Sequence, residues 1–219
     1  MKKLKILLVV IILSNFSAYC QELMTETGLS FTSFNFKDSQ GNNLENVQPA
    51  TTNFLNLGYR HNLLNKTLHF VGGLSFNKYE AIGSNDPINL YYKWETTYLA
   101  PFLGLDVKLI GSEKVAFYLR TTTSLEFMLQ GTQTLNNQIF NLKNVEEFDT
   151  AKLLFRGGAI IDYSISETLS IFTHFKYGQS TESGDTQKLK FNTTEIGIGL
   201  AVKLNAKKQE QILNQTQEK

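Results

Sequence analysis

The sequence predicts an all-β chain: a closed, antiparallel, up-and-down transmembrane β-barrel of about eight strands. Three observations predict it. Segment after segment beyond residue 20 alternates with period two between an apolar face and a face of small or charged residues. The clearest of these, 115–129, is far longer than the roughly 5–6 residues of an ordinary soluble strand. Long and short connections then follow one another in strict alternation, the pattern of long outer loops and short inner turns.

The first twenty residues set the compartment. Lys2, Lys3 and Lys5 form a basic start, Leu7 to Leu13 is an unbroken apolar run, and Ala18 and Cys20 stand where a signal peptidase reads small residues. This is a secretory signal peptide over 1–20, too short to span a bilayer. Cys20 also permits a lipoprotein reading, which Tyr19 before it disfavours. Removing this segment, with its three lysines, from the 219 residues leaves 199 residues with 18 basic and 20 acidic side chains, net −2. Such a balance offers no basic field for nucleic acid. Cys20 is the one cysteine, so the mature chain is held by its core or by a membrane and not by disulfides. No later apolar run reaches the roughly 20 residues of a helical span, whereas a barrel strand needs only about 9–11.

The strands follow in order. In 26–36, Leu29 and Phe31 hold one phase and Phe34 and Phe36 the other, which a bulge near Ser33 reconciles. Leu55, Leu57 and Tyr59 alternate with Asn56, Gly58 and Arg60. Leu68, Phe70, Leu74 and Phe76 alternate with His69, Val71, Ser75 and Asn77. In 97–109, Leu99, Leu103, Leu105 and Val107 oppose Gly104, Asp106 and Lys108. In 115–129, Phe117, Leu119, Leu125 and Phe127 oppose Arg120 and Glu126. In 151–163, Leu153, Phe155 and Ile161 oppose Lys152, Arg156 and Asp162. Leu169, Ile171 and Phe175 alternate with Ser170, His174 and Lys176. In 192–204, Ile196, Ile198, Leu200 and Val202 oppose Glu195 and three small residues. Pro101 is a misfit within its strand, because a closed barrel has no free edge for a missing donor; a local bulge is the expected repair.

The barrel is expected over 21–204, with a polar periplasmic tail over 205–219 that is either a short surface helix or disordered. Connections near 65–66, 111–114 and 164–168 are short; those near 37–52, 80–91, 131–149 and 180–187 are long and polar. Tyr79, Tyr91, Tyr92, Trp94, Phe127 and Tyr177 near the long loops, with Tyr59 and Tyr163 near the short turns, are expected to form interfacial girdles.

These residues resemble the small eight-stranded outer-membrane barrels, OmpX-like or OmpA-like, in the form common among Bacteroidota. The resemblance rests on the leader ending Cys20-Gln21, the long alternating strands, and glycine-rich stretches such as Arg156-Gly157-Gly158-Ala159 and Gly197-Ile198-Gly199-Leu200. It implies an integral outer-membrane protein of a Gram-negative cell. One departure is the continuation past Leu204, where many such barrels end on an aromatic residue.

Catalysis is not expected. His61, His69 and His174 lack the His-x-Ser element of lipid-modifying barrels and the Asp-His pair of barrel proteases. No ligand spacing for a metal occurs. Gly72-Gly73 and Gly157-Gly158 lie within strands and so are not phosphate loops. Asp149-Thr150-Ala151 matches a short glycosylation sequon. No cofactor is expected.

Arg60, Asp106, Arg120, Glu126, Lys152, Arg156, Asp162, Lys176 and Glu195 share the inward phase. An eight-stranded barrel is barely wide enough to be filled by side chains, so these charges are expected to pair into a structural network that closes the lumen. Arg120, Glu126, Arg156 and Glu195 fall near its middle, while Lys108, Lys152 and Lys203 are expected at hydrated mouths. The expected role is structural or surface-interacting. The loops at 37–52 and 131–149 are the candidate contacts for an extracellular partner. Outer-membrane lipid and, during insertion, the barrel-assembly machinery are the other partners of an expected monomer. Two alternatives remain open at this level: a narrow channel or transporter of small hydrophobic molecules, and a secreted soluble ligand-binding barrel with its apolar face inward.

Overall fold

The computed structural model describes residues 21–44, 46–64, 67–85 and 90–204. The leader with Cys20, the tail 205–219 and the turn at 65–66 lie outside the described residues. Nine strands follow in order: β1 (Gln21–Lys37), β2 (Val47–Leu64), β3 (Leu68–Asn85), β4 (Leu90–Gly111), β5 (Val115–Leu135), β6 (Gln138–Asn141), β7 (Lys152–Ser164), β8 (Leu169–Ser180) and β9 (Lys188–Lys203). A single helical turn, α1 (Glu146–Asp149), precedes β7.

Eight of the strands form a closed ring. Each pairs antiparallel with its neighbour, β5 with β7, and β9 returns to β1. The β1–β9 seam is unbroken from Glu22 opposite Lys203 to Lys37 opposite Lys188. The small β6 stands outside the ring and pairs only with the far end of β5. Its hairpin turns on Asn136 and Asn137, both at positive φ (47° and 66°), the conformation a two-residue turn of this hand requires. The short connections are tied by their own side chains: the Ser112 hydroxyl accepts the Val115 N–H at 3.2 Å, and the Ser166 hydroxyl accepts that of Leu169 at 3.1 Å. Both chain ends of the ring and these short turns share one end; the longer connections share the other, called here the loop end.

The period-two pattern sorts the side chains as expected. Leu57, Leu119, Phe155, Phe175, Ile198 and their neighbours face outward in a continuous apolar belt, while the charged phase faces the lumen. This is the reverse of a soluble ligand-binding barrel, and it sets that alternative aside. Ile198 is 59 % exposed in this belt. Ile198→Arg is expected to cost about 2–4 kcal/mol if the belt lies in hydrocarbon, the penalty of a lipid-facing cation near mid-bilayer. Unfolding in lipid vesicles measures it.

Three local expectations are corrected. No bulge occurs near Ser33, since the β1–β9 register runs straight through it. Leu29 and Phe31 face out while Phe34 faces in, because the lumen itself turns apolar toward the loop end. No register change occurs at Pro101 either. It keeps its place opposite Leu74, while the ladder to β5 lapses at Ala100 and Pro101 and resumes in the same register at Phe102. The irregularities of that ladder lie at Thr97/Tyr98 and Lys108/Ile110. The missing donor is thus absorbed by one local gap in pairing. Finally, the strands run well beyond the expected loop boundaries: much of 80–91 belongs to β3 and β4, and 131–149 contains the end of β5, β6 and α1.

Candidate functional site

Two stacked layers fill the lumen. The first, through the middle and toward the turn end, is charged. Met24, Glu26 and Ser30 enter it from β1, Arg60 from β2, Asp106 from β4, Arg120 and Glu126 from β5, Arg156 and Asp162 from β7, Lys176 from β8 and Glu195 from β9, all buried. Period two alone delivers them to one face of each strand.

Their charges link into a single chain. Arg60 bonds Glu22, reaches Asp162 at 2.9 Å and lies 3.8 Å from Asp106. Arg120 grips Asp106 with two donors, Nε at 2.6 Å and Nη2 at 2.7 Å, and donates to Glu26 through Nη1. Glu26 also accepts Lys176 Nζ at 2.9 Å and Asn56 Nδ2 at 3.2 Å. Lys176 lies 3.5 Å from Glu195, which accepts Arg156 Nε at 2.7 Å. Arg156 further donates to the Ser124 hydroxyl at 2.8 Å and the Tyr79 hydroxyl at 3.0 Å, and lies 3.5 Å from Glu126. Glu126 accepts Asn77 at 3.0 Å and Ser124 at 2.6 Å. Arg60, Asp106, Arg120, Glu126, Arg156, Asp162, Lys176 and Glu195 lie in this chain and Lys152 does not; Glu126, Arg120 and Glu195 are at most 2 % exposed.

Sequence reasoning missed Glu22 and Glu26. The signal was present: extending the outward phase of Leu29 back through Thr27, Thr25 and Leu23 places Glu26 and Glu22 inside, but the apolar Phe34 and Phe36 in the opposite phase obscure it.

The free space amid Glu26, Asn56, Arg120 and Lys176 is about 10 Å³. That is at most one water's worth of room. His174, 3 % exposed, lies between the rings of Phe54 and Phe172, and neither ring nitrogen takes a hydrogen bond among the described residues. It is not the hydrogen-bonded polar residue a lone lumenal histidine suggests. No group of three His, Cys, Asp or Glu among the described residues forms a metal-holding set.

The second layer, at the loop end, is aromatic. Phe34, Tyr79, Tyr98, Phe148 and Phe191 pack with Trp94, Tyr92 and Leu142. Ring centroids are 4.7 Å apart for Phe34 and Phe191 and 5.0 Å for Tyr79 and Phe191. Tyr79, Tyr92 and Trp94 therefore point inward, which corrects their assignment to an interfacial girdle; Tyr91, Phe127, Tyr163 and Tyr177 do lie exposed on the outer wall. Lys152 is likewise not at a hydrated mouth. It is 1 % exposed, donates to the Glu147 and Phe148 carbonyls at 3.2 and 3.1 Å, and lies 4.7 Å from the Phe191 ring centroid. A cation over a ring face is attracted by its quadrupole, which suits a lysine here.

The 131–149 segment folds back over this layer. The Tyr98 hydroxyl donates to the Phe148 carbonyl at 2.8 Å, and the Ser183 hydroxyl donates to that of Glu147 at 2.6 Å. Lys143 Nζ bonds Asp149 at 2.6 Å and holds that carboxyl below the usual aspartate range.

No protein-family model matches the sequence, and no curated protein matches it. Solved structures do. Neisserial surface protein A aligns at a TM-score of 0.50 with 12 % identity, covering 84 % of this chain and 97 % of that one. The outer membrane protease OmpT of Escherichia coli aligns at 0.49 with 6 % identity, over 87 % and 98 %. OprG of Pseudomonas aeruginosa aligns at 0.46 with 12 % identity, over 82 % and 95 %. The first of these likenesses, with the closed eight-stranded ring, shows the fold of a small outer-membrane β-barrel.

Proposed function

We propose that this chain is an integral outer-membrane protein with a permanently closed interior, non-catalytic, whose working surface is its loop end. The apolar belt supports residence in lipid: an exposed apolar surface that encircles the protein is far larger than the patches soluble monomers carry. Outer-membrane lipid is its solvent, a monomer its state, and the barrel-assembly machinery its partner during insertion. With both chain ends on the periplasmic side, the loop end faces the exterior.

The observation that carries the reading is the filled lumen. A continuous run of paired charges, with about 10 Å³ of free space at its centre, supports a plug rather than a conduit. Above it, the aromatic layer closes the same passage a second time. A surface role is supported by the β5–β6 hairpin. It projects beyond the ring and presents Ile139 (73 % exposed) and Phe140 (46 % exposed), with β6 paired on one side only. Exposed apolar side chains beside an unpaired strand edge are the chemistry by which an extended segment of a partner docks.

The purified barrel in a planar bilayer tests the closed interior. No steady conductance above that of the bare bilayer is expected. Stable, resolvable channel currents from the wild-type protein would replace the plug with the narrow-channel alternative.

A further inference from the structure

We propose that the loop-end cavity is a binding site for a small organic monocation of the alkylammonium class. The cavity has a volume of about 470 Å³ and lies between the ends of β1 and β4, the β5–β6 hairpin, and α1. That size falls in the range of small-molecule sites, roughly 300–1,000 Å³. It is separate from the charge network, which lies beneath the aromatic layer.

Its walls decide the ligand class. Five aromatic rings line it: Phe36, Tyr92, Trp94, Phe140 and Phe148. Phe36 stacks on Trp94 at 6.3 Å with 23° between planes, and Tyr92 tilts against Trp94 at 4.9 Å. Among the lining residues one carries a charge, Glu147, and it is negative. Its main-chain carbonyl is used by Lys152 and Ser183; its carboxylate makes no salt bridge within 4 Å among the described residues and feels Lys152 only at longer range. Aromatic faces beside a carboxylate that holds no salt bridge are the surroundings that stabilise an alkylated ammonium, which gives up little hydration and gains from several ring quadrupoles at once. An anion would face the Glu147 carboxylate and the negative faces of the rings.

Two more features fit a polar substituent on the ligand. Gln133 and Gln187 line the cavity, and their side-chain amides have no hydrogen-bond partner among the described residues. They can serve a hydroxyl or carbonyl carried by the cation. The aromatic layer beneath already shows the chemistry once, in Lys152 over the Tyr98 and Phe191 rings at 5.2 and 4.7 Å. That lysine is committed to the carbonyls of α1 and leaves the cavity to another cation.

Trp94 is the one tryptophan of the chain and stands in the cavity wall, so intrinsic fluorescence reports the site directly. The test titrates the folded full barrel in detergent with choline, and separately with 3,3-dimethylbutan-1-ol, its uncharged isostere. The same titrations are made on Glu147→Gln, after checking that its folded form keeps the heat-dependent gel mobility of wild type. A saturable change in Trp94 emission with choline is expected, weakened about tenfold by Glu147→Gln and about tenfold or more for the isostere. An equal response to the isostere, a choline response unaffected by Glu147→Gln, or no saturable response to choline would each overturn the assignment.

Discussion

Arg120→Ala is expected to destabilise the folded barrel by about 3–5 kcal/mol, the cost of leaving buried charge without its partner. Arg120 is 2 % exposed and is the link between Asp106, which it grips with two donors, and Glu26. Its removal takes from Asp106 its two-donor partner, leaving Arg60 at 3.8 Å, and leaves Glu26 with Lys176 and Asn56 alone. The worth of the intact pair is a different quantity, because burial of the ions offsets much of their attraction. The triple change Arg120→Met with Glu26→Gln and Asp106→Asn is therefore expected to recover a large part of the loss, since it removes the charges together. Arg120→Lys keeps the charge but not the planar fork, so it is expected to fall between. Equilibrium unfolding by guanidinium in lipid vesicles measures all three. A loss below about 1 kcal/mol for Arg120→Ala would show that the lumen hydrates freely and that the network is not a plug.

Gly28→Val is expected to prevent the ring from closing. A Cβ at Gly28 would lie 2.2 Å from the Ile196 carbonyl oxygen and 2.5 Å from the Gly197 Cα, both main-chain atoms of the strand it pairs with. Gly28 stands directly opposite Gly197 in the seam that joins the two ends of the barrel. No flexible side chain is available to give way, so the clash must push the strands apart. The expected cost is at least about 3 kcal/mol, at or beyond the usual range for overpacking. Gly157→Val is the control. It faces outward with nothing within 4 Å of its Cβ position, and is expected to change stability by less than about 0.5 kcal/mol. The compact, fast-migrating folded form in unheated gels is expected to disappear for Gly28→Val and to persist for Gly157→Val.

Period two carried most of the fold into the sequence. In β7, Leu153, Phe155 and Ile161 face out and Lys152, Arg156 and Asp162 face in, because a strand with lipid on one side and a packed lumen on the other has no freedom to do otherwise. The same rule brought Arg60, Asp106, Arg120, Glu126, Arg156, Asp162, Lys176 and Glu195 together. It failed where the environment on one side changes along the strand. The lumen becomes aromatic toward the loop end, so Phe34, Tyr79 and Trp94 are apolar and yet inward. Read as lipid-facing or interfacial, they implied a bulge at Ser33 and a girdle at Tyr79 and Trp94. The loop-end cavity was not legible for a different reason. It is assembled from Phe36, Trp94, Phe140 and Glu147, which are far apart in sequence and meet only because the 131–149 segment folds back over the ring.

The central claim is that the alternation separates lipid from a closed, water-poor interior. Strand β8 tests it most directly, since residues 171–177 contain no glycine and cross the belt. Single cysteines are placed at each position in a Cys20→Ser background, spin-labelled, and reconstituted in lipid vesicles, and their collision rates with oxygen and with a water-soluble nickel complex are recorded. Oxygen accessibility is expected to alternate, with maxima at Ile171, Thr173, Phe175 and Tyr177, and with Phe172, His174 and Lys176 low toward both reagents. High nickel accessibility at 172, 174 and 176 would reveal a water-filled lumen, and oxygen maxima at those positions would place the charged phase against lipid; either result contradicts the account.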